Sequence, residues 1–257
     1  MVNNYGRLNK YKGKALFLAH DADAASPRKN RYAQAKGGSG QTLPLVIIDS
    51  GFRYTEARQA GQDFAGYGRM VDEALREPPL LEIETYYHRV EGTNNIRVTG
   101  TITNVSQITT DDPVTFNYDN GATLWFLAFE EKRPPVIHVN WFVRKAVSFG
   151  LDDNLPPGAT TTFDEVMADL PDETRMANVE MVVLVDYRPD TESSQYVSAQ
   201  AAVATDRVPP DRPANDDLAD RIFFEQLPYS HTVDTTWATS ETGEMLVGCS
   251  AGDAKSV

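Results

Sequence analysis

The chain has 257 residues, with 24 Lys/Arg against 37 Asp/Glu, a formal net charge of −13 and a single cysteine. This length accommodates one large domain or two ordinary ones, and the acidity argues against a nucleic-acid partner, since phosphate binding needs a basic footprint. The lone Cys249 excludes an internal disulfide framework and a Cys-x-x-Cys redox pair, and no run reaches the roughly 18 apolar residues of a membrane span.

Charge is divided unevenly. Residues 1–77 carry 12 Lys/Arg against 8 Asp/Glu, whereas residues 78–257 carry 12 against 29. The break falls near Pro78-Pro79 and predicts separate domains at 1–79 and 80–205, with a largely irregular acidic tail over 206–257. The N-terminal MVNNYGRLNKYKGK is basic but lacks the apolar core of a signal peptide.

In chain order, Ala15–Ala19 is a short apolar run between Gly13 and the Asp21/Asp23 turn cluster, the pattern of a strand buried on both faces. Ser26-Pro27 then offers a helix start and Gly37-Gly38 a stop. Leu45–Ile48 reads as a second buried strand, entered through Thr42-Leu43-Pro44 and left through Asp49-Ser50-Gly51. Together these predict a parallel βαβ unit. A short antiparallel strand at 52–55 and a helix over 63–77 follow, with Asp63 as N-cap and Phe64, Tyr67, Val71 and Leu75 near a 3.6-residue period.

Beyond Pro79 the period becomes two. Ile96, Val98, Gly100 and Ile102 alternate with Arg97, Thr99 and Thr101, as in a half-buried strand. Extended runs recur at 81–90, 122–130, 136–147, 159–167, 179–187 and 195–204, separated by turns such as Glu91-Gly92, Asn120-Gly121 and Pro156-Pro157-Gly158. The expected class is α+β, a partial α/β region followed by an antiparallel immunoglobulin-like β-sandwich.

The stretches KGKALFLAHDADAASPRKNRYAQAKGG, TLPLVIIDSG and DFAGYGRMVDEALREPP, with VVLVDYRPDTESSQYVSAQAAVA later, resemble bacterial thioredoxin-like proteins in which a β-sandwich follows directly. The resemblance covers roughly residues 3–204. It implies a cis Pro44 at the head of a central strand, with Thr42, Leu43 and Pro44 facing a substrate or partner. It also implies that the first strand and the CxxC were lost or lie upstream of Met1, which leaves this chain redox-inert. An upstream export signal would make the protein extracytoplasmic; without one it is cytoplasmic.

No constellation carries obvious chemistry. His20, Asp21 and Asp23 follow a strand end, but one histidine with turn carboxylates does not match a zinc site, and they read as turn chemistry. Asp111-Asp112, Asp152-Asp153 and Asp216-Asp217 lack calcium-loop spacing. Neither GGSGQ nor DSGF is a serine-nucleophile elbow. Trp125, Phe126, Trp141 and Phe142 form a sugar-stacking platform only if they face outward; their strand context favours the core. The expectation is a non-catalytic binding or structural protein with no metal or cofactor. The alternatives are a thiol-disulfide oxidoreductase missing its CxxC segment and a carbohydrate-binding sandwich. The expected partners are proteins or a second copy, received at sandwich edges.

Overall fold

Alternating side chains from residue 81 onward build two four-stranded sheets that share one core. The computed structural model describes residues 11, 13–19, 28, 45–56, 64–132, 139–151, 154–192 and 195–207. The strands are β1 (Leu45–Ile48), β2 (Arg53–Glu56), β3 (Leu81–Arg89), β4 (Ile96–Asn104), β5 (Thr123–Lys132), β6 (Val139–Gly150), β7 (Thr160–Met167), β8 (Glu180–Tyr187), β9 (Val197–Val203) and β10 (Thr205–Asp206). Two helices are delimited among the described residues, α1 (Phe64–Ala74) and α2 (Ser106–Thr109). Neither is long and apolar enough to cross a membrane.

Sheet I has the order β10-β3-β4-β7 and sheet II the order β6-β5-β8-β9. All pairs in them are antiparallel except β10 with β3. Their facing sides enclose Val98, Ile102, Phe116, Phe126, Met181, Val183 and Val185. Phe126 tilts against Phe149 and Phe163 at 5.3 and 5.4 Å, the offset geometry aromatic quadrupoles favour. Gly100 marks the tightest contact: a Cβ there would stand 2.1 Å from the Glu84 carbonyl oxygen and 2.6 Å from the Phe163 ring. The end of β4 is pinned by buried Asn104. Its amide donates to the carbonyls of Val114 and Leu155 at 2.7 and 2.9 Å and accepts from Ser106, so every polar atom of its amide is engaged.

Sheet II is apolar on both sides. Trp125, Leu127, Phe129, Val143, Val182 and Leu184 form a second cluster on its outer face, against which Leu16 and Leu18 pack. The unbroken apolar runs LWFLAF and MVVLV follow from this double burial.

The expected α+β class and the thioredoxin-like resemblance are therefore corrected: the described chain is predominantly β. Ala15–Ala19 does not lie parallel to Leu45–Ile48. Instead Ala19 bridges Phe142 of β6, donating to Trp141 O at 3.0 Å and accepting from Val143 N at 2.8 Å. β1 folds straight back onto β2 in an antiparallel hairpin with Leu45 opposite Glu56. The physical reason is the reversal at 49–51, where Asp49, Ser50 and Gly51 all have positive φ of 57°, 53° and 106°. A turn this tight returns the chain at once and leaves no crossover between parallel strands. The wholly antiparallel immunoglobulin-like sandwich is corrected too, since β10 adds in parallel to β3.

Helix α1 buries Val71 and ends at Ala74, so Leu75, the last residue of the apolar period, falls beyond it and is exposed. Tyr11 donates to Gly68 O at 3.0 Å, and Arg53 pairs with Glu73 of the helix at 3.9 Å and with Glu77 just beyond it at 3.1 Å, tying this stretch to its neighbours. The chain divides into two units, Met1–Arg207 and Val208–Val257; of the expected tail over 206–257, Asp206 belongs to β10, and the rest from Val208, including Cys249, lies outside the described residues.

Candidate functional site

Of the residues singled out from sequence, Thr42, Leu43 and Pro44 lie outside the described residues, as do His20, Asp21, Asp23, Asp152, Asp153, Asp216 and Asp217. Asp111 and Asp112 are exposed in a turn, where the Asp112 amide donates to Thr110 Oγ1 at 3.3 Å. Among the described residues no three His, Cys, Asp or Glu side chains converge as metal ligands. The aromatic pairs divide between core and surface. Trp125 is only 2% exposed and Phe126 fully buried, while Trp141 is 38% exposed. Trp125 and Trp141 therefore cannot form one stacking platform.

Where polar groups do converge, sheet II meets the segments before it. Asp186 interrupts the apolar run of β8 and is fully buried. One carboxylate oxygen accepts the Trp125 indole N–H at 3.0 Å; the other faces Arg28 Nη1 at 3.5 Å. The Arg28 guanidinium also lies 5.1 Å from the Trp125 ring centroid, a cation–π contact, and donates to Ser50 Oγ at 3.1 Å. Ser50 Oγ shares a 2.7 Å hydrogen bond with Ser198 Oγ, and the Ser198 amide donates to Asp49 Oδ1 at 2.8 Å. These bonds hold two consecutive non-glycine residues in left-handed backbone, which costs about 1–2 kcal/mol each. Burial raises the Asp49 pKa above the ordinary carboxylate value, against the opposing pull of the Ser198 amide and the Arg53 guanidinium. Nearby, burial pushes the Tyr187 phenol up to about 12, helped by the negative charges of Asp49, Asp112 and Glu77.

A second buried ion pair closes the far end of sheet II. Glu130 binds the Arg144 guanidinium and accepts the Arg175 amide at 3.0 Å. Arg144 has no partner residue in the β5–β6 register, so a bulge turns it toward Glu130. Both clusters use their polar groups to join elements.

The strand edges differ in how they are protected. β9 is bulged between its partners Gln200 and Ser198, and its Ser198 amide is bonded to Asp49. β6 is bulged and carries the Ala19 bridge, and β10 is two residues long. β7 has eight residues, TTTFDEVM, in unbroken register with β4 and with no proline, lysine or bulge. The Asn104 backbone N–H donates to Ala159 O at 2.9 Å. Strand alternation then turns the N–H groups of Thr160, Thr162 and Val166 away from β4, where the described residues place no further strand. On the outer face Asp164 receives the Arg97 guanidinium in a two-point contact, Nε to Oδ1 at 2.6 Å. The sequence places β7 accurately but carries no mark of its position in the sheet, because edge and centre are decided by strand order.

No family model matches the chain, and no curated protein matches it. Among solved structures it is similar to the sporulation control protein Spo0M of Bacillus subtilis, at 11% identity and a TM-score of 0.30 over 51% of each chain. It is similar to a β-glucosidase of Kluyveromyces marxianus in complex with glucose, at 12% identity and a TM-score of 0.25 over 49% of this chain and 14% of that one. A GH3 β-glucosidase of Bifidobacterium adolescentis is similar at 16% identity and a TM-score of 0.24, over 55% and 20%. None of these is a thioredoxin. The chain spans about half the length of Spo0M and a fifth or less of the glucosidases, and likenesses this slight assign it neither a fold family nor a function.

Proposed function

We propose that this chain is a non-catalytic binding protein that receives an extended protein segment along the β7 edge. The observation that supports this reading is the contrast among edges: β6, β9 and β10 are bulged, bridged or short, whereas β7 keeps an unbroken register with β4 and turns the amides of Thr160, Thr162 and Val166 outward. Strand addition supplies affinity through main-chain hydrogen bonds and selectivity through alternate side chains. The densest polar cluster, around Asp186, is occupied in joining elements. The oxidoreductase alternative rested on the thioredoxin-like fold and goes with it; the carbohydrate alternative loses its paired tryptophans.

Two measurements test the reading. In dilute solution the amides of Thr160, Thr162 and Val166 exchange with deuterium quickly, while those of Thr161, Phe163 and Glu165, which face β4, exchange slowly. Extended peptides selected for binding then slow the outward amides and lose affinity for Thr162→Pro, which removes one outward donor without touching the β4 ladder. Slow outward amides in the dilute free chain, or selected peptides that bind Thr162→Pro unchanged, overturn it.

A further inference from the structure

The β7 sequence is complementary to itself, and this identifies an occupant for its edge. In an antiparallel pair of two β7 strands with Phe163 on the two-fold axis, the outward residues of one strand meet outward residues of the other, as ladder geometry requires. Thr160 then stands opposite Val166, Thr162 opposite Asp164 and Thr161 opposite Glu165. Each carboxylate meets a threonine hydroxyl of the other copy, and no two like charges face each other. The neighbouring register that centres on Asp164 would set two carboxylates directly opposite, which is destabilising. Asp164 keeps its Arg97 partner in either case.

We infer that β7 pairs with β7 of a second copy in this register, joining two copies of sheet I into one continuous eight-stranded sheet. This rests on the open edge proposed above. One strand pair buries less surface than a standard interface, and each chain carries a net charge of −13, so the dimer is weak and is strengthened by salt.

Sedimentation velocity of the full chain between about 10 μM and about 1 mM reads the association. The expected result is a monomer–dimer equilibrium that added salt shifts toward dimer. Thr162→Glu, which faces Asp164 of the second copy, weakens it roughly three- to tenfold, and Thr162→Lys strengthens it by a comparable factor. Thr162→Pro abolishes it, and the Glu and Lys variants carry the test if the proline variant fails to fold. A dimer indifferent to Glu or Lys at position 162 overturns the inference by placing the contact elsewhere. A monomer throughout, with outward β7 amides that exchange quickly, overturns self-pairing while the open edge stands. A monomer with those amides protected at every concentration overturns both.

Discussion

A single carboxylate in an apolar strand organises much of the molecule at the residue scale. Asp186 is fully buried, and the Trp125 indole and the Arg28 guanidinium help offset the cost of burying its charge. Its removal breaks a buried ion pair with Arg28 and strands the Trp125 indole N–H. Asp186→Ala is therefore expected to lower the free energy of unfolding by about 3–5 kcal/mol in urea titration. A loss below about 1 kcal/mol would contradict the assigned contacts. The sequence marks Asp186 only as an odd residue in MVVLVDY, and its partners Arg28 and Trp125 lie far along the chain. Contacts of that separation have no periodic signature. The tryptophans show the same limit: strand context assigned Trp125 to the core, but Trp141 occupies a left-handed position with φ of 56° beside a bulge, where alternation no longer sets its direction.

Among elements, the strands beyond residue 80 are legible because each carries its own record of burial. Period-two alternation in β4 and the turns at Gly92, Gly121 and Gly158, all at positive φ, place strands within a few residues of their observed ends. Pairing between them depends on close approach, and Gly100 is where that approach is closest. Gly100→Ala drives a methyl into the Glu84 carbonyl and the Phe163 ring. A loss of about 1–3 kcal/mol is expected in thermal or urea unfolding, as for overpacked cores. An unchanged midpoint would mean that β3 and β4 do not approach as described. What strand patterns do not record is order within a sheet. Thr160–Met167 reads as a half-buried strand whether it is central or marginal, so its place at the end of sheet I among the described residues became visible only with the topology.

For the whole molecule, the early segments were the least legible. An apolar run such as Ala15–Ala19 is consistent with a central parallel strand or with a strip laid over the face of another sheet, where, as here, its residues are half-buried. The Asp49-Ser50-Gly51 reversal decides between them by closing β1 onto β2, which leaves Leu16 and Leu18 to cover Trp125, Leu127 and Phe129. Sheet II thereby gains a second apolar face, and its β6 edge is bridged by Ala19, while the described residues add no strand to β7 in sheet I. The order of edges, and with it the proposed binding mode, depends on that placement. Nuclear Overhauser contacts in the full chain test it most directly. The structure predicts contacts from the Ala19 amide to Trp141–Val143 and from the Leu16 and Leu18 methyls to the Trp125 cluster. Contacts from Ala15–Ala19 to Leu45–Ile48 in a parallel pattern, with none to β6, would contradict it.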